Sequence, residues 1–295
     1  MTSNPAAPGP PADRVPVAHP RALAASAAVS GGLAVLLAGS ALAGLVGGYP
    51  GPGSVSAVLR GYDLVTLLLT VPLLGWAAAR RTPRAALVWA GVLMSLVYTY
   101  AYYLFGTELT VLFPAHAVVF TLSLAALVLL LAAIDVPRLA AGFGPRTPVR
   151  FAGGVLLLLG VALAVMWTAG TVRALAAGSA LAEPSRLIVP AAVTRLGAAL
   201  DLSLLAPAYG LAGVLLWRRA GWGYVAATGL LVAGVLHQVA YLTALVVQRV
   251  AEVPGAPGFD PVEPVIVAAF AVGAALMLAH GGRRPARAGG QRPSA

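Results

Sequence analysis

The chain has 295 residues, of which 60% are hydrophobic and 9% charged, whereas a water-soluble domain carries roughly a quarter charged residues. So few charges cannot coat a surface that faces water, so the chain reads as a polytopic integral membrane protein. The net charge is +10, every basic residue is arginine and cysteine is absent; this excludes lysine Schiff bases, a P-loop lysine, disulfides, thiolate metal sites and cysteine nucleophiles.

Residues 1–20 hold six prolines among Gly, Ala and Asp13, a composition that predicts a disordered tail. The apolar run 22–48 follows Arg14 and Arg21 and is longer than a signal-peptide core, so it is the first predicted transmembrane helix, with a signal peptide cleaved after the small-residue stretch Ala41-Leu42-Ala43 as the alternative. Seven further runs, at about 62–79, 85–105, 114–134, 151–171, 195–217, 222–247 and 264–280, each approach the ~20 residues needed to cross a bilayer. They are continuously apolar rather than alternating, which argues for helices and against a barrel. The expected fold is an all-α transmembrane bundle of about eight helices over residues 21–280, with a basic tail at 281–295.

Arginine placement predicts the orientation. Arg14, Arg21, Arg80, Arg81, Arg84, Arg138, Arg146, Arg150, Arg218, Arg219, Arg283, Arg284, Arg287 and Arg292 fall on one side; Arg60, Arg173, Arg186, Arg195 and Arg249 fall on the other. The positive-inside rule makes the first side cytoplasmic, with both termini there, and places the multi-pass chain in the cell membrane. The expected partner is the lipid bilayer, with anionic headgroups at the inner arginines at about 1 kcal/mol each. Arginines set between apolar runs serve topology, so no nucleic acid is expected.

The second and sixth predicted helices share a pattern. Asp63 precedes Arg80 by 17 residues and Asp201 precedes Arg218 by 17; Pro72 and Pro207 interrupt the two helices, and an Arg-Arg pair ends each. A parallel duplication into two four-helix halves explains this, and chance repetition of common membrane-protein features is the alternative. The prolines free the carbonyls of Leu68 and Ser203, which then serve either a cation or a packing kink.

At 1.5 Å per residue, Asp63 and Asp201 stand about 25 Å from the inner arginines. His237, Tyr98, Tyr102 and Tyr241 reach the same level, near His116 and the loop acid Glu108. These eight residues are the candidate ligand-binding set, forming either an outward-facing polar pocket or, for the tyrosines, an interfacial belt. Long apolar sequence on both sides of Asp201 and His237 places that pair inside the bundle. Gly44 and Gly48 form a GxxxG pair suited to close helix packing.

The stretch Gly61-Tyr62-Asp63-Leu64-Val65-Thr66-Leu67-Leu68, the aromatic run Tyr98 to Phe105, and Asp201 to Tyr224 with Pro207 and Arg218-Arg219 resemble a family of uncharacterised bacterial integral membrane proteins of GC-rich, actinobacterial type. The resemblance spans residues 55–247 and implies a multi-pass fold. That family carries no assigned activity, so it implies no role for any residue.

No His-Glu-x-x-His or Gly-x-Ser-x-Gly motif occurs, and the histidines are not clustered. No cofactor and no catalytic residue are expected. The reading is a small-ligand or ion binding or transport protein; a non-catalytic accessory or scaffolding subunit is the alternative, and a membrane enzyme or haem or metal protein ranks below both.

Overall fold

Proline opens several of the helices, at Pro20, Pro83, Pro114 and Pro264, where its missing N–H costs no intrahelical bond. The computed structural model describes residues 14–281. Among them, eight helices are long and apolar enough to span a membrane: α1 (Pro20–Gly47), α2 (Gly53–Arg80), α3 (Pro83–Phe105), α4 (Phe113–Ala133), α5 (Val149–Ala177), α6 (Ala191–Trp217), α7 (Gly221–Val250) and α8 (Glu263–His280). A short helix, Val136–Ala141, lies between α4 and α5, capped by the Asp135 carboxylate on the Arg138 N–H. The protein is an all-α integral membrane protein.

Several boundaries differ from expectation, α5 running on to Ala177 and α6 starting at Ala191, and two differences bear on the packing. Helix α2 begins at Gly53 rather than near residue 62, because Val55, Leu59 and Tyr62 share a buried stripe that packs on α7 despite the intervening Ser54, Ser56 and Arg60. Residues 14–20, expected to be structureless, are ordered against the arginine-bearing side of the bundle. There the Val15 N–H donates to the Arg81 carbonyl, the Ala18 N–H to Ala133, and the Asp135 N–H to Pro16. Paired backbone groups and a buried Val15 compensate for a proline-rich composition. The remaining tail expectations, for 1–13 and 282–295, lie outside the described residues.

The two halves pack in the same order. Helices α1, α2, α3 and α4 form a ring of neighbours, as do α5, α6, α7 and α8, and α7 joins the rings by lying against both α2 and α3. The sequence offset that carries Asp63 to Asp201 also carries Arg81 to Arg219, and both arginines adopt left-handed backbone, φ 47° and 53°, to turn the chain into the next helix. The same offset carries Gly91 to Gly229, which meet where α3 crosses α7: a Cβ on Gly91 would stand 2.6 Å from the Gly229 carbonyl oxygen. Equivalent residues touching each other is what a twofold pseudo-axis between α3 and α7 requires. The two halves thus share their packing order and these positions.

Each repeat-bearing helix also loosens just before its proline. A π-helical turn runs over Thr66–Thr70 in α2 and Asp201–Leu205 in α6, closed by i to i+5 bonds from the Val71 N–H to Thr66 and from the Ala206 N–H to Asp201. Each turn ends two residues before its proline, so widening the helix absorbs the missing donor. The Thr70 hydroxyl donates to the Val65 carbonyl and the Ser203 hydroxyl to Ala199, further repairing the local ladder.

The side carrying the Arg-Arg pairs is also the tryptophan-bearing rim: Trp76, Trp217 and Trp222 are exposed there, as indoles at a headgroup boundary are. The tyrosines of the opposite half do not form such a belt. Tyr62, Tyr100, Tyr103 and Tyr241 are buried within the bundle.

Candidate functional site

The predicted polar layer divides into two separate clusters, each centred on one of the repeated aspartates. In the first half, Asp63 is 1% exposed. Its Oδ2 accepts from the Tyr49 hydroxyl at 2.6 Å and its Oδ1 from the Tyr103 hydroxyl at 2.9 Å. Tyr49 comes from the short α1–α2 loop; burial, and then the Asp63 carboxylate beside it, push its phenol above the ordinary range, so it remains a proton donor at physiological pH.

His116 is buried in the same cluster. It sits edge-on to Tyr103 with ring centroids 4.7 Å apart and close to Tyr100, which stacks on Tyr103. Gly44 closes the cluster, since a Cβ there would stand 2.7 Å from Cζ of Tyr49. The Gly44–Gly48 pair, read as a helix-packing motif, therefore makes room at Gly44 for a side-chain latch. Arg60 forms no ion pair with Asp63; it lies against Gly48 instead.

In the second half, Asp201 borders a cavity of about 640 Å³. One carboxylate oxygen accepts from the Tyr98 hydroxyl and the other from the Trp167 indole N–H at 2.7 Å. The Tyr98 and Tyr102 hydroxyls are 3.4 Å apart, and His237 sits edge-on to Tyr98 with centroids 5.0 Å apart. Helices α2, α3, α5, α6, α7 and α8 all contribute to the wall, which reaches Tyr209 and Phe270 at its deep end. A chamber of this size, apolar with a few convergent polar groups, has the character of a small-molecule site.

The long α5–α6 loop, 178–190, covers this cavity from the side away from the Arg-Arg pairs, and two anchors hold it. The Gln248 side chain accepts from the Ile188 N–H at 3.1 Å and donates to the Ile188 carbonyl at 2.8 Å and the Ser54 carbonyl at 3.1 Å. The Tyr241 hydroxyl accepts from the Arg186 N–H and donates to Asp260, whose carboxylate also lies 3.7 Å from the Arg186 guanidinium.

Of the eight candidate residues, Asp201, Tyr98, Tyr102, His237 and Tyr241 thus meet at the cavity. Asp63 and His116 form the closed cluster. Glu108 belongs to neither: it is exposed and lies over Gly51 in the α1–α2 loop, because the turn after α3 carries it away from the bundle. Phe105, three residues beyond Tyr102, is exposed at the end of α3.

Sequence reading passed over Trp167, although a lone tryptophan well inside an apolar run is an amphipathic ring away from its usual interface. Glu263 was passed over too, although the following Pro264 marks a helix start and so places Glu263 at the mouth of α8. Among the described residues, no group of three or more His, Asp or Glu side chains is arranged to hold a metal ion.

No protein-family model matches the chain, and neither does any curated protein or solved structure.

Proposed function

We propose that the protein is a small-ligand binding and transport protein of the cell membrane, with its site in the cavity beside Asp201. The observation that carries this reading is the contrast in closure: Asp63 is sealed by tyrosines, whereas Asp201, held equally firmly by two donors, faces open volume. A preorganised intramembrane carboxylate on a cavity wall is a functional feature, because burying it otherwise costs stability. The π-turn in α6 starts at Asp201 itself, six residues before Pro207, and gives the wall a compliant joint.

The arginine excess assigns the Arg-Arg side to the cytoplasm, so the loop-covered end of the cavity faces outward. Because the chain has no cysteine, single introduced thiols report this directly. On intact cells, Ser185→Cys is expected to react with an impermeant maleimide and Arg146→Cys to be protected; the reverse pattern overturns the orientation.

Native mass spectrometry of detergent-released protein tests the binding reading. Wild type is expected to retain a non-protein mass that the Asp201→Asn, His237→Ala double variant loses. A bare chain in both, or a second polypeptide retained by both, overturns it in favour of an accessory subunit.

A further inference from the structure

Two buried polar atoms in the described residues have no hydrogen-bond partner, Oε1 of Glu263 and Nδ1 of His237, and both residues line the Asp201 cavity. Glu263 is 5% exposed, so water does not serve that oxygen freely, and a buried acceptor left unsatisfied is costly. Of the nearby donors, the Gln238 amide lies beside the Glu263 carboxylate without closing a bond to Oε1, and the Arg186 Nε and the Tyr241 hydroxyl face Asp260. Asp201 is not the deficit, since each of its oxygens has a donor. What the cavity lacks is a donor with positive charge.

The wall chemistry agrees. Glu183, Asp201, Asp260 and Glu263 line the cavity against one guanidinium, that of Arg186, and the rings of Tyr62, Tyr98 and Trp167 line it beside them. Carboxylates with aromatic rings attract a cation, through charge and through the ring quadrupoles. A divalent metal finds no set of three ligands here. An anion meets an excess of carboxylates. A quaternary ammonium offers no N–H to the two unsatisfied atoms.

Resting on the cavity reading above, the geometry points to a protonated primary amine with an apolar body as the ligand. Its ammonium group donates to Oε1 of Glu263 and to Nδ1 of His237, whose ring proton is then on Nε2. Its apolar body lies along Leu159, Leu163, Ile266 and Phe270 toward the deep end.

The test is isothermal titration calorimetry on the full chain in nanodiscs at pH 7, with three probes of one shape: 2-phenylethylamine, neutral 2-phenylethanol and anionic 3-phenylpropanoate. The amine is expected to bind at least tenfold more tightly than either of the others. Glu263→Gln is expected to weaken the amine tenfold or more while leaving the alcohol unchanged. Glu108→Gln removes the same charge outside the cavity and is expected to change nothing, and Leu163→Trp, which fills the chamber, is expected to abolish amine binding.

If the alcohol binds as tightly as the amine, or Glu263→Gln retains full amine affinity with an unchanged elution profile, the cation inference is overturned and the cavity reading stands. If none of the three probes binds, the inference is also overturned, and the retained mass in the native spectra then judges the cavity reading alone.

Discussion

The two halves of the molecule carry the same aspartate at the same level of equivalent helices, yet one is a latch and the other the wall of a chamber. Each carboxylate takes one donor per oxygen, and α3 supplies one donor to each, Tyr103 to Asp63 and Tyr98 to Asp201. The difference lies in what fills the remaining space. The offset that relates Asp63 to Asp201 also relates Tyr103 to Tyr241, but the Tyr241 hydroxyl goes to Asp260 and the Arg186 backbone rather than to Asp201. The first half is closed by short loops, 48–52 and 106–112, the first of which supplies Tyr49. The second has long ones, 178–190 and 251–262, that take Tyr241 away and arch over the gap. Between two halves packed in the same order, loop length and one redirected phenol separate a packing contact from a cavity.

The comparison breaks most visibly at Asp63. Replacing it with Ala leaves the Tyr49 hydroxyl buried without an acceptor and the Tyr103 hydroxyl with only the Leu59 carbonyl; at about 1–3 kcal/mol for a buried unsatisfied group, with the second bond lost as well, the loss is expected to be about 3 kcal/mol. Thermal unfolding in detergent should fall sharply, with no ligand able to restore it. Gly44→Ala attacks the same latch from α1 by pushing a methyl group into the Tyr49 ring, at about 1–3 kcal/mol for overpacking. Gly39→Ala, on the same helix with open space around it, is the control, and its unfolding temperature should hold or rise slightly through helix propensity. Equal losses at Gly39 and Gly44 would refute the latch.

How much of this was legible in the sequence follows from what pattern encodes. Lipid-crossing length and apolarity are local properties, so eight spans were readable and their order along the chain fixed the fold class. The match of Asp63 with Asp201 was readable because both are counted from an Arg-Arg pair. Position along the membrane normal is legible, but rotation about the helix axis is not. His116 and His237 stand at one level yet face different clusters, and Glu108 shares the level but points away from both. Trp167 reaches Asp201 from α5 across the bundle, a contact between residues 34 apart that no spacing rule announces. The start of α2 was misplaced because its first turns are held by a stripe against α7 rather than by lipid.

Gln248 tests whether the arch over the chamber is held in place. Gln248→Ala removes three hydrogen bonds to the backbone of Ile188 and Ser54, at about 1 kcal/mol each when partly replaced by water. The effect is expected to be local: faster amide exchange and earlier proteolytic cutting within 178–190, with the global unfolding temperature changed far less than by Asp63→Ala. Unaltered exchange in that loop would show that Arg186, Asp260 and Tyr241 hold it without Gln248.

The smallest effect on stability is expected at Asp201→Asn, and it is the sharpest test of the comparison. The amide oxygen keeps one acceptor for Tyr98 or Trp167, and the cavity offers space for the other to relax, so the cost should stay below about 1 kcal/mol. Binding is another matter, because the substitution removes a fixed charge from a wall where little solvent screens it. Asp63→Asn is the matched control in the sealed half, where the same atoms change but no chamber is present. If the halves differ in kind, Asp201→Asn loses the retained mass with near wild-type unfolding, and Asp63→Asn lowers unfolding temperature while keeping that mass. A pair of variants that lose stability and ligand together, to the same degree, would mean that both aspartates only fasten helices.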